Sequence, residues 1–126
     1  MIKVYGLKTC DTCRKALKWL DSKGIAHSFH DVRADGVSQK DVARWARAAG
    51  EDTLLNRRGT TWRGLFEAEQ KKADAGGAIG LMLAYPALIK RPVFEIAAAG
   101  GGDTKSEVVV GFGAAEQKAL ARLAKD

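Results

Sequence analysis

The stretch IKVYGLKTCDTCRKALKWLDSKGIAHSFHDV, residues 2–32, decides the fold class. Ile2 to Tyr5 is a short run with β-branched and aromatic residues closed by Gly6, the pattern of a strand feeding a loop. Cys13, Ala16, Leu17 and Leu20 then recur at helical spacing. This predicts a helix with one stripe facing a core while Lys15 and Lys18 face water. Asp11 or Thr12 can cap that helix and Gly24 stops it. Ile25 to Val32, with Ile25, Phe29 and Val32 apolar, reads as a second strand. A strand, a helix and a strand within about thirty residues form a βαβ unit, and such crossovers are right-handed.

Downstream, Ser38 begins a second helix in which Val42, Trp45, Ala46 and Ala49 share a face, and Gly50 supplies the stop. Thr53 to Gly64 crowds Arg57, Arg58 and Arg63 around Gly59 without helical or alternating periodicity, which predicts a structured loop. Leu65 to Lys72 and Ala78 to Ala84 are expected short helices separated by Gly76 and Gly77. Ala97 to Gly102 is expected to be a flexible connection. Glu107 to Phe112 is a strand through Val108, Val109 and Val110, pairing most simply as a hairpin with Val93 to Ile96. Ala114 to Lys125 closes the chain as a helix with Leu120 and Leu123 inward.

The size and balance of the chain, 126 residues with 46% hydrophobic and 29% charged content, predict a single globular domain spanning residues 1–126, which the βαβ unit places in the α/β class. No signal peptide is visible. The longest weakly polar stretch, Ala75 to Leu88, is broken by glycines and Pro86 and falls short of the ~20 residues of a membrane span. A cytoplasmic protein without membrane contact is the expectation, and in that compartment its two cysteines would be held mostly reduced. Lys and Arg number 21 against 15 Asp and Glu, a net charge of +6. Acidic residues punctuate the basic ones throughout, so a nucleic-acid partner is not expected. An anionic small molecule or an acidic protein patch suits the same charge.

Cys10 lies between the first strand and the first helix, where unpaired backbone N–H groups and the helix dipole favour an anion. A thiolate is such an anion, so Cys10 is expected to be acidified and nucleophilic. Cys13 completes a C-x-x-C pair beside a βαβ pattern, the spacing of a thioredoxin-like redox site. It also shares the apolar stripe, so it reads either as a resolving thiol or as a small buried hydrophobe. Two cysteines without histidines at zinc-ligand spacing predict no metal site. Arg57, Arg58, Arg63 and Arg91 could hold an oxyanion or carboxylate through their planar donors. Arg91 precedes Pro92, where a cis bond would present the neighbouring backbone at the active loop. His27 and His30 belong to the second strand and are not expected to act as acid or base.

These features resemble the arsenate reductase (ArsC)/Spx superfamily, and within it the YffB-like branch of small thiol reductases. The resemblance is carried by Val4 to Thr12 around Cys10, by Phe29 to Arg33 with Asp35 and Gly36, by Leu54 to Arg63, and by Pro86 to Pro92. It implies a thioredoxin-like fold with an inserted helical segment, about residues 38–84, between the βαβ and ββα halves. It also implies that Cys10 is the catalytic nucleophile of a glutathione-dependent thiol reductase. Glutathione would be co-substrate, glutaredoxin an accessory partner, and no resident cofactor is expected. Arg91 matches the arginine of the family's Arg-Pro pair, and Arg58, or Arg57 by a one-residue shift, matches its loop arginine. Two departures keep alternatives open. The arsenate reductases carry a further arginine after Arg-Pro that this chain lacks in Ala97 to Gly102 and Val108 to Gly113, which counts against arsenate as substrate and leaves a genuine arsenate reductase as the second alternative. Cys13 matches the C-x-x-C switch of Spx proteins, which implies as an alternative a redox-sensing regulator that binds RNA polymerase.

Overall fold

A computed structural model describes residues 2–96 and 107–124. The chain divides into two compact units, one of Met1–Val32 with Arg91–Asp126 and one of Arg33–Lys90.

In the first unit β1 (Ile2–Gly6) is the strand around which the rest assembles; all of it but Lys3 is buried. It pairs in parallel with β2 (His27–Asp31), Ile2 opposite His27 and Gly6 opposite Asp31. A parallel pair needs a crossover, and α1 (Asp11–Ser22) provides it. On its other side β1 pairs antiparallel with β3 (Val93–Ile96), which pairs antiparallel with β4 (Glu107–Val110), giving the order β2-β1-β3-β4. Ile2 and Val4 of β1, Phe94 and Ile96 of β3, Ala16 and Leu20 of α1, and Leu120 of α7 (Ala114–Ala124) form one apolar cluster. Leu17, Trp19, Phe112 and Leu123 pack at its margin, Trp19 meeting Phe112 edge-on at 5.7 Å.

The expected hairpin therefore forms, but its second strand stops at Val110. Gly111 takes φ +93 and its N–H donates to the Pro92 carbonyl at 2.8 Å, turning the chain before Phe112. β2 likewise begins at His27 rather than Ile25, because the Ile25 N–H is still tied to the Leu20 carbonyl at the end of α1. The expected connection from Ala97 to Gly102 lies outside the described residues.

The second unit is helical. In α2 (Gln39–Ala49) the Ser38 hydroxyl accepts the Asp41 N–H as N-cap, and Val42, Trp45 and Ala46 are buried. The expected loop from Thr53 to Gly64 instead contains two four-residue helices, α3 (Glu51–Leu54) and α4 (Thr60–Arg63). Single turns are too short to print a periodicity. Non-local pairing holds the segment: Leu55 bridges Ile89, the Asn56 N–H donates to Leu88 O and the Lys90 N–H to Leu54 O, both at 2.7 Å. The next two helices form as expected, α5 (Glu67–Lys72) beginning two residues late and α6 (Ala78–Ala84), with Gly76 at φ +90 in the kinked turn between them. No helix among the described residues is long and apolar enough to cross a membrane.

Candidate active site at the start of the first helix

Beyond β1 the chain makes a tight turn: the Cys10 N–H donates to Leu7 O at 3.0 Å. Cys10 keeps an extended backbone (φ −83, ψ 120) while its carbonyl accepts the Arg14 N–H at 3.0 Å, so Cys10 is itself the residue that caps α1. This corrects the expectation that Asp11 or Thr12 caps it; both lie inside the first turn, and Asp11 is exposed with Arg14 at 3.8 Å. No side-chain hydrogen bond of ordinary length closes this helix end. The free N–H groups of the first turn act instead on the Cys10 sulfur.

Four groups oppose burial at that sulfur. Partial burial alone pushes the Cys10 thiol up, but the Cys13 N–H, the Cys13 thiol, the Arg91 guanidinium and the Thr12 N–H all favour the thiolate, and the net displacement is downward. Cys13 moves the opposite way. It is fully buried, and burial together with the neighbouring Cys10 sulfur pushes its thiol up to about 12. The pair is thus polarised: Cys13 stays protonated and donates its S–H toward Cys10.

Cys13 owes this environment to Gly6. A Cβ built on Gly6 would lie 2.5 Å from Cys13 Sγ, so the buried thiol sits where a side chain on β1 would be. Gly6 is not at a positive φ; what it supplies is close approach, not turn freedom. Arg91 stands immediately before β3, half-buried, in a cis peptide bond with Pro92. Arg91→Gln, which keeps bulk but removes the charge, is expected to raise the Cys10 titration and slow its alkylation several-fold below the midpoint, as followed by iodoacetamide labelling across pH.

Three residues at this site were not among the candidates. The Asp31 carboxylate at the end of β2 accepts the Lys8 N–H at 3.0 Å, and Arg14 Nε donates to the Lys8 carbonyl at 3.0 Å. The turn before Cys10 is thus held on both sides. The one sequence signal was an acid at the buried end of a strand, and Asp31 is the charged residue that is buried among those described.

The other candidates are engaged within their own units. Arg57, in the helical unit, lies 3.2 Å from Asp74 and 3.6 Å from Asp52 and stacks 5.0 Å over the Trp62 ring, so its guanidinium is engaged within that unit. Arg58 belongs to the same unit, its N–H on Asn56 Oδ1 and its side chain exposed. His27 Nδ1 lies 2.8 Å from Ile25 O, and His30 packs its ring on Tyr5 at 5.2 Å. No cluster of three or more His, Cys, Asp or Glu among the described residues could hold a metal ion.

A polarised cysteine pair at the first βα turn, with an arginine before a cis-proline, can be set against known proteins. The model of the ArsC family matches residues 5–120. A YffB protein of solved structure superposes with a TM-score of 0.83 at 42% identity, covering 98% of this chain and 99% of that one. A protein of Haemophilus influenzae described as uncharacterized is 44% identical over 93 residues, 74% of this chain and 82% of the relative. The global transcriptional regulator Spx 1 of Bacillus cereus is 21% identical over 95 residues, 74% of this chain and 72% of that protein. With its mixed four-stranded sheet and thioredoxin-like α/β architecture, and with the family match running from the first strand to the last helix, the chain belongs to the ArsC family.

Proposed function

We propose that this protein is a thiol-dependent oxidoreductase, glutathione-linked, with Cys10 as its nucleophile. The observation that carries the reading is the placement of the two sulfurs, with Cys10 partly exposed at the N-cap of α1 and Cys13 fully buried in its first turn, an arrangement that draws the Cys10 thiol down and pushes the Cys13 thiol up. In the reaction the Cys10 thiolate attacks one sulfur of a disulfide; the Cys10–S bond forms, the substrate S–S bond breaks, and the departing sulfur takes the electron pair and then a proton. A second thiol, from glutathione, attacks the mixed disulfide and returns Cys10 as thiolate. Arg91 favours the anionic sulfur of Cys10, and in this reading its guanidinium also pairs with an anionic substrate group. Arg58, or Arg57, is the loop arginine the family resemblance nominates for anion binding, and the engagement of Arg57 with Asp52 and Asp74 favours Arg58.

The test is turnover of glutathione mixed disulfides, and of oxyanions reduced at glutathione's expense, by the wild-type chain and by Cys10→Ser. Loss of turnover in the variant is expected; equal turnover by both removes Cys10 from the chemistry. The hydrogen bond between the two sulfurs also supports a second reading, a redox-sensing regulator in which a peroxide or a small-molecule disulfide takes two electrons from Cys10 and Cys13, leaving them as a disulfide, and RNA polymerase is the partner. Retention of polymerase from lysate by the oxidised chain alone separates this reading from the first.

A further inference from the structure

A carboxylate buried at the end of a strand costs free energy unless its hydrogen bonds are made, so the partner it finds indicates what it is for. Asp31 is 6% exposed, and its Oδ2 takes the N–H of Lys8 across 23 positions of sequence. The next residue adds a second tie, as the Val32 N–H donates to Gly6 O at 2.9 Å. The end of β2 therefore grips the chain at Gly6 and Lys8, on either side of Leu7, whose carbonyl receives the Cys10 N–H. Arg14 holds the Lys8 carbonyl from the helix side, but its side chain is 61% exposed and this tie is the weaker.

We propose that Asp31 is a positioning residue for Cys10: by fixing the Lys8 peptide it sets the turn that delivers Cys10 to the N-cap of α1, facing the N–H groups of Thr12 and Cys13. The inference rests on the reading of Cys10 as the reactive thiol. It carries a sign that separates it from a mere charge effect. The other ionisable groups acting on the Cys10 sulfur are Cys13 on α1 and Arg91 before β3. An anion near a thiolate opposes it, so if Asp31 acted only through its charge, removing that charge would make Cys10 more acidic. If Asp31 acts by holding the turn, losing the acceptor loosens the Thr12 and Cys13 donors and makes Cys10 less acidic, although a negative charge has gone.

The experiment measures alkylation of Cys10 across pH in the wild-type chain, in Asp31→Ala and in Asp31→Asn, whose amide oxygen can still accept from Lys8. The expected result is a titration displaced upward and a rate about tenfold lower below the midpoint in Asp31→Ala, with Asp31→Asn within about twofold of wild type. An Asp31→Ala chain that titrates as wild type, or both variants titrating lower, overturns the positioning role while leaving the reactive cysteine in place. Wild-type Cys10 titrating as a free thiol overturns both the role and the reading beneath it. Should Asp31→Ala fail to fold, Asp31→Asn alone decides: a change beyond about fivefold in either direction overturns the proposal, and so does rapid exchange of the Lys8 amide in the native chain.

Discussion

Native protein treated with iodoacetamide at neutral pH is expected to take up one label, at Cys10, and Cys10→Ser is expected to take up almost none. The thiolate is the reacting species, and a thiol titrating at about 12 is ionised at pH ~7 to the order of one part in 10⁵. Cys13 is also without accessible surface. Cys10 is partly exposed and displaced the other way, so the rates at the two sites should differ by about three orders of magnitude or more. Removing Cys10 relieves part of the upward pressure on Cys13, since the neighbouring sulfur contributes to it, but burial is the larger cause and remains. Peptide mapping of the labelled chain gives the site, and denaturant provides the control in which both cysteines react. Two labels at comparable native rates would mean that Cys13 is neither buried nor held protonated, and the polarised pair would not exist.

Gly6→Ala carries the second large effect. The new methyl would meet Cys13 Sγ at 2.5 Å, with the Cys13 Cβ at 3.4 Å and the Phe29 ring at 3.5 Å behind it. Neither neighbour has room to retreat: Cys13 is on the buried face of α1, and Gly6 is in register with Asp31 in the parallel pair. Overpacking of this kind costs about 1–3 kcal/mol, a large share of the ~5–15 kcal/mol that holds a domain together. Urea unfolding of Gly6→Ala should show a lowered midpoint with an unchanged slope. Cys13→Ala removes the atom that is hit, so the double variant should recover about 1 kcal/mol or more relative to the sum of the single changes. Strict additivity would show that the Cys13 sulfur is not what requires glycine there. The same cycle bears on chemistry, because crowding at Cys13 Sγ disturbs its S–H donation to Cys10, and loss of that donor should raise the Cys10 titration.

These two results concern residues that the sequence displays very differently. Cys10 is legible: a cysteine after a short strand and before an amphipathic stripe falls at a helix start whatever the remainder of the chain does. Gly6 reads as a strand terminator, a local role, whereas it is the last residue of the strand and its missing side chain accommodates a sulfur seven residues later. Cys13 has two readings on the stripe, resolving thiol or buried hydrophobe. Its environment combines features of both, a fully buried sulfur that hydrogen-bonds Cys10.

What the sequence determined by itself was set by short-range periodicity and backbone preference: the opening βαβ unit, the valine-rich strand of the hairpin, the stripe of α1, the Ser38 cap of α2 and the location of Cys10. Only the tertiary structure decided that Cys10 caps its own helix, that Asp31 holds the turn before it, and that the segment after Gly50 folds into two single-turn helices tied to the Leu88–Lys90 strip. The last two share one reason. A repeat of two or of 3.6 residues is written along the chain, but a buried hydrogen-bond partner 23 or more residues away leaves no periodic trace and exists only once the strands are in register.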